Sequence, residues 1–281
     1  MHAQLNEIRN QQRDTWNKFS GGWKKWDDFN MNFLKPAGDA IINELNLQTT
    51  DKVLDIASGT GEPALTIAGI VKDGKVTATD IAEKMLEKAK EYAADKSIEN
   101  FEAVVADAGD LPFADNSFNK ISCRMGFMFF PDMQLAAKEM HRVLKDGGKI
   151  ATSVWFNPQK NIWTTAIMSV INRNMQLPPP AEGAPSMFRC AAPGFMKSLL
   201  EKAGFKNVSE QEINGKVIYN DFEHFWTMMN DVAAPIVGAL SKADDDMRKK
   251  IKDEVEAATN QFVGKDGLAL EYCSLVVSAE K

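Results

Sequence analysis

The chain has 281 residues, of which 44% are hydrophobic and 26% charged, and its 39 acidic and 33 basic side chains leave a net charge of −6. That length suits one large α/β unit with insertions, and that composition argues against disorder. The acidic balance without gathered Lys and Arg argues against a nucleic-acid partner, and no run of about 18 uncharged apolar residues is present to cross a membrane.

The first residues, Met1 to Asp14, mix charges from the outset and lack the apolar centre of an export signal, so a cytoplasmic location is expected. Trp16, Phe19, Trp23, Trp26, Phe29 and Phe33 follow at helical spacing, interrupted by Gly21-Gly22. Short helices laying an apolar face on something else are predicted there. From Asp51 the pattern changes to an apolar strand, Lys52–Ala57, a glycine turn, Ser58-Gly59-Thr60-Gly61, and a helix to about Ile70. A second strand, Val76–Asp80, leads to a helix over Ala82–Ala94. Strands at Phe101–Ala106, Lys120–Cys123 and Lys149–Trp155 continue the alternation, with a helix at about Gln134–Leu144 and a turn at Asp146-Gly147-Gly148. Such alternation implies a mostly parallel sheet covered on both faces.

Regularity lapses over 157–193, where an apolar helix, Ile162–Met175, precedes a Pro-rich loop from Pro178 to Pro185. A helix at Phe195–Ala203, a strand at Val208–Tyr219, two helices at about Phe222–Leu240 and Asp245–Val263, and a closing strand at Leu268–Ala279 complete the reading. The predicted organisation is an N-terminal helical lid segment (1–35), a cofactor-binding core (36–156), a helical and Pro-rich insertion (157–193), and a C-terminal part (194–281) carrying a two-helix insertion at 222–263. Cys123, Cys190 and Cys273 are odd in number and widely spaced, as reduced thiols would be. His2, His141 and His224 lie in no zinc-like spacing, so no metal is expected.

The glycine turn, at the C-terminal end of the first strand, lets a ligand approach the backbone. It lacks the GxGxxG cradle and no Walker lysine follows it, so a pyrophosphate is not expected. Asp55 and Glu62 flank the turn and suit a cationic ligand. Asp80 closes the second strand, where a carboxylate accepts hydrogen bonds from both hydroxyls of a ribose. Asp107 follows the third strand at the height where an adenine amino group would donate.

Val53–Ala64, Asp80–Leu86, Asp107–Ser117 and Val143–Lys149 resemble the successive motifs of the class I S-adenosylmethionine (AdoMet)-dependent methyltransferases, most of all the branch of ubiquinone and menaquinone biosynthesis. The resemblance implies a Rossmann-like seven-stranded sheet with the last strand antiparallel and inserted between its neighbours, plus a helical lid from the N-terminal and C-terminal insertions. It also implies that Asp55, Ser58 and Gly59 face the methionine part of AdoMet and Asp80 the ribose. Ile81 and Met85 would then lie on the adenine faces, Asp107 and Ala108 at its edge, and Arg124 and Met125 beneath the sulfonium. Ala57 stands where the family usually has the first glycine of the turn, and it is expected to avoid left-handed backbone values.

The acceptor is expected above the C-terminal strand ends. The apolar run Met125–Phe130, with Phe127 and Met128, is a predicted pocket wall, and Trp23, Trp163 and Trp226 are predicted to complete it from the lid segments. His224 is the candidate general base, because imidazole titrates near neutral pH; His141 is expected to be structural. These features predict methyl transfer to oxygen or carbon of a small, largely apolar acceptor, aromatic, quinone-like or polyketide-like. N-methylation of a small amine, AdoMet binding without catalysis and a nicotinamide dehydrogenase are the competing readings.

Overall fold

The short apolar runs fold as strands, and most of them hand the chain to a helix, as the two periodicities require. The computed structural model describes residues 2–178 and 183–281, so the centre of the predicted Pro-rich loop, 179–182, lies outside the described residues. The elements in order are α1 (His2–Lys25), α2 (Asp27–Leu45), β1 (Lys52–Ile56), α3 (Ala64–Ile70), β2 (Lys75–Asp80), α4 (Glu83–Asp95), β3 (Phe101–Val105), β4 (Phe118–Arg124), α5 (Met133–Val143) and β5 (Leu144–Trp155). There follow α6 (Ile162–Met175), α7 (Phe195–Ala203), β6 (Lys206–Tyr219), α8 (Phe222–Val232), α9 (Ala234–Leu240), α10 (Asp245–Thr259), the two-residue β7 (Val263–Gly264) and β8 (Gly267–Glu280).

The strands form one sheet in the order β3-β2-β1-β4-β5-β8-β6, with β7 paired to β8 alone. The neighbours from β3 to β5 are parallel, and β8 runs antiparallel to both β5 and β6. The expected antiparallel last strand is thus inserted between its neighbours. Strand order reverses direction between β1 and β4, and crevices open at such a switch point because the flanking crossovers leave on opposite faces.

Alternate residues of each strand feed two apolar layers. Val53, Val76, Ala78, Ala151 and Val276 pack under α2, α3 and α4 through Ile41, Leu45, Ala64, Ile67 and Leu86. Leu54, Ile56, Ile121, Cys123 and Ile150 pack under α5, α6 and α7 through Met140, Val143, Ile167 and Leu200. Helices therefore cover both faces.

Four local expectations are corrected. Gly21-Gly22 does not interrupt α1, which runs through both. A Cβ on Gly22 would collide with the Asp231 carbonyl of α8, so the glycine makes a packing notch rather than a break. The predicted edge at residue 35 falls inside α2, which continues through Pro36. The segment 146–148 is no turn between elements but a bulge carried by β5, since Phe118 pairs with Leu144 and Lys120 with Lys149. Finally, the helix predicted over 222–240 divides at Ala233, giving three helices where two were expected; Pro235 begins the new helix because its ring cannot continue the old one.

Candidate active site

Four strand ends meet above the switch point. Past β1 the chain turns through Ala57, Ser58 and Gly59, with φ of 55° at both Ala57 and Gly59. The turn is tied to β2 by Ser58 N–H donating to the Thr79 carbonyl at 2.9 Å. A Cβ on Gly59 would meet nothing within 4 Å, so that backbone faces open space. The left-handed value at Ala57 corrects the expectation that the alanine avoids it. Its methyl is accommodated from across the site: a Cβ on Gly126 would lie 2.8 Å from the Ala57 Cβ, so the bare Gly126 leaves the room that Ala57 fills. Met125 is also left-handed, at φ 59°, and strained non-glycine backbone is thereby concentrated at the two strand ends flanking the switch point.

Asp80, at the end of β2, is fixed by two backbone donors, Gly59 N–H to Oδ2 at 2.9 Å and Ala82 N–H to Oδ1 at 2.8 Å. Burial raises its pKa, opposed by those bonds and one from Ile81. Each oxygen retains acceptor capacity toward the cavity. Asp107, past β3, accepts from Gly109 N–H at 2.9 Å through Oδ1. Its Oδ2 is ion-paired with Arg9 of α1, so the N-terminal helix reaches across to this edge. Arg124 ends β4; burial lowers its pKa, while Glu62, Asp55 and Asp27 favour its charge. Its Nη2 donates to Met31 Sδ at 3.4 Å.

These strand ends floor a cavity of about 450 Å³. Ala57, Ser58, Gly59, Asp80, Ile81, Met85, Asp107, Ala108, Arg124 and Met125 all line it, together with Glu62, which the sequence placed beside a cationic ligand, and Thr60, which sequence reasoning did not assign. Asp55 does not line it, which corrects its placement against the ligand. Its side chain is fully buried beneath the floor and accepts from Ser122 Oγ.

The roof comes from α1, α2, α6, the segment 185–187 and the α8–α9 junction. Trp23 and Trp163 line the cavity as predicted positions. Phe33 stacks on Trp155 at 5.6 Å between ring centroids and meets Trp163 edge-on at 5.2 Å, building an aromatic wall with Trp155 and Trp163 4.9 Å apart. Trp16 meets Phe129 at 5.2 Å and Trp23 at 6.1 Å. Phe127 and Met128 are corrected: both are 0% exposed core residues outside the lining, because the chain turns there into a short helical segment that points them inward. Phe129, Phe130, Trp16, Asn30, Met31, Phe33 and Trp155 take part instead. Aromatic spacing in 1–35 signalled two of them, but only tertiary contact selects which faces inward.

Trp226 is also outside the lining; it stacks on Phe222 at 6.1 Å along α8. The candidate base His224 is corrected likewise. Its ring stacks on Trp26 at 5.1 Å and packs edge-on against Phe29 and Tyr219, its Nδ1 accepts from Asn220 N–H at 3.1 Å, and burial lowers its pKa. His224 thus fastens α8 to α2, outside the cavity. His141 packs against Phe205, and the three cysteines are free thiols in the core. Among the described residues the lining holds no His, Lys, Tyr or Cys, no cluster of metal-ligating side chains is found, and no helix is long and apolar enough to cross a membrane.

Residues 53–148 match the methyltransferase-domain family. The chain is similar to a demethylmenaquinone methyltransferase of Staphylococcus epidermidis, 40% identical over 111 residues, which are 39% of this chain and 45% of that relative's length. It is similar also to the demethylmenaquinone methyltransferase of Staphylococcus aureus, 31% identical over 187 residues, 63% of this chain and 77% of the relative. Among solved structures, a Bacillus halodurans C-125 protein assigned as a methyltransferase shares the fold, with a TM-score of 0.62 at 21% identity, covering 87% of this chain and 98% of that one.

Proposed function

The chain belongs to the class I AdoMet-dependent methyltransferases, in their menaquinone-type branch, and from that membership we propose that it transfers a methyl group to an oxygen or carbon of a small aromatic or quinone-like acceptor. The observation that carries the acceptor class is the wall of Phe33, Trp155 and Trp163, whose rings suit a flat apolar molecule. The names of the Staphylococcus relatives point the same way.

The residues fit AdoMet on two counts. Carboxylates and no basic side chain other than Arg124 line the floor, which suits a ligand with a sulfonium and an ammonium group. The Gly59 backbone at the turn faces open space, where a Cβ would meet nothing within 4 Å, so a ligand can approach it closely. When bound, AdoMet supplies a methyl already activated by its positive sulfur. We assign Asp80 to the ribose hydroxyls, Asp107 and Ala108 to the adenine edge, and Ile81 and Met85 to its faces. Ala57, Ser58 and Gly59 would take the methionine part, Met125 the surroundings of the sulfonium, and Arg124 the methionine carboxylate.

Beyond the floor carboxylates the described lining holds no imidazole, amine, phenol or thiol, and the contributions we assign to the protein are alignment of the acceptor with the methyl and exclusion of water. The helical segments α1, α2, α6 and α8–α9 act as the lid that does both.

Calorimetric titration with S-adenosylhomocysteine, with NAD as control, tests the cofactor; release of S-adenosylhomocysteine in the presence of 1,4-naphthalenediol tests the acceptor. Saturable binding of the first ligand alone, followed by product formation, is expected. Binding without product from any phenol or quinol would overturn the acceptor class.

A further inference from the structure

Two hydrogen-bond donors in the cavity roof have no partner. The Trp23 indole Nε1 and the Asn30 amide Nδ2 are both buried, both belong to cavity-lining residues, and neither bonds to any protein atom. Asn30 is only 2% exposed. Such groups are uncommon in folded chains because a buried donor without an acceptor loses its hydration for nothing. Two other tryptophans near the cavity have partners: Trp26 Nε1 donates to Asp231 at 2.8 Å and Trp163 Nε1 to Asn161 at 3.0 Å. Buried hydroxyls of Ser153, Tyr219 and Ser274 also lack a partner, but those residues do not line the cavity, whereas Trp23 and Asn30 do.

The place of Asn30 along α2 says which part of the cavity it serves. Met31, which takes the Arg124 guanidinium, follows Asn30 directly, and Phe33 of the aromatic wall lies one turn further on. Asn30 therefore sits between the strand-end floor and the ring-binding wall. Trp23 enters from the end of α1, packed on Trp16.

We propose that Asn30 and Trp23 receive an oxygen atom of the acceptor, a carbonyl, phenol or phenolate oxygen carried on its ring, and so position and select the acceptor. This rests on the aromatic-acceptor reading above and deepens it. Two N–H donors complement an oxygen lone pair and repel an ammonium, so the pair selects oxygenated rings over amines and over bare hydrocarbons. In a phenolate the same bonds would hold the charge in place next to the carbon or oxygen to be methylated.

The full chain, saturated with S-adenosylhomocysteine, is titrated with 1-naphthol and with naphthalene, as the parent and as Asn30→Ala and Trp23→Phe. Trp23→Phe keeps an aromatic ring but removes the pyrrole half of the indole with its N–H, and the naphthalene control separates the lost hydrogen bond from lost packing, so it tests the assignment even if Asn30→Ala perturbs folding. The parent is expected to prefer 1-naphthol. Each variant should bind 1-naphthol about fivefold or more weakly, with naphthalene and S-adenosylhomocysteine unchanged; in turnover the KM for a hydroxylated acceptor should rise more than kcat falls. Unchanged 1-naphthol binding in both variants, or an equal loss for naphthalene, would overturn the assignment. Loss of S-adenosylhomocysteine affinity would transfer the pair to the cofactor. If the parent binds neither naphthalene nor 1-naphthol while still binding S-adenosylhomocysteine, the aromatic-acceptor reading itself fails, and this assignment with it.

Discussion

Asp55 of β1 and Ser122 of β4 are register partners, and the Ser122 hydroxyl donates to Asp55 Oδ1 at 2.5 Å with both residues fully buried. Burial pushes the Asp55 carboxyl up to about 6, against the lowering influence of Ser122, Ser58 and the Arg124 charge. An acid with a higher pKa in the folded than in the unfolded state binds its proton more tightly when folded. Its favourable contribution is complete below pH about 4 and is lost as pH rises through about 6. Asp55→Asn removes the ionisation and keeps the shape. The stability of this variant relative to the parent should climb between about pH 4 and 6 and level off above, by up to about 3 kcal/mol for a displacement of about two pH units. Urea unfolding across that range measures it, and a pH-independent difference would sink the idea.

Asp80 is held by Gly59 and Ala82 N–H groups with its carboxylate on the cavity wall. Asp80→Ala should weaken S-adenosylhomocysteine by about 1–3 kcal/mol, the scale of charged hydrogen bonds lost. Calorimetry on the variant decides it; undiminished affinity would remove Asp80 from the ribose.

Ala57 occupies a left-handed conformation that is unfavourable for any residue with a Cβ. Ala57→Gly relieves that strain, partly offset by greater freedom of the unfolded chain, so a gain of up to about 1 kcal/mol is expected. Gly126→Ala should do the reverse, since its methyl would lie 2.7 Å from Cys123 Sγ and 2.8 Å from the Ala57 Cβ. Thermal unfolding of the two variants should therefore move Tm in opposite directions; a lower Tm for Ala57→Gly would show that the alanine is not strained.

His224 packs between Trp26, Phe29 and Tyr219, away from the cavity lining. His224→Gln should leave turnover and its pH profile unchanged and lower stability by about 1 kcal/mol through lost ring packing. Loss of turnover with stability intact would restore the imidazole as a base.

Asp80, Asp107 and the Ala57–Gly59 turn were legible because they lie at strand ends, and a strand end is visible wherever an apolar run stops at a turn. Asp55 was misplaced for a related reason. Alternation along a strand says that successive side chains point to opposite faces, but not that one of them lies beneath a floor made by the next three residues.

Order along the chain determined the strand–helix alternation, because it depends on local periodicity and on short connections, whereas the antiparallel last strand and the residues expected at the cofactor followed from the resemblance of the strand-end motifs to the class I methyltransferases. Tertiary structure alone decided the roof of the cavity. Phe127 and Met128 went into the core, His224 and Trp226 outside the cavity, and Phe33, Trp155 and the unpartnered Asn30 into it. In the lid α1, α2 and α8 each carry several aromatic residues, and which of them turns inward is set by packing against segments far away in sequence, as Gly22 against Asp231 and Phe33 against Trp155 show.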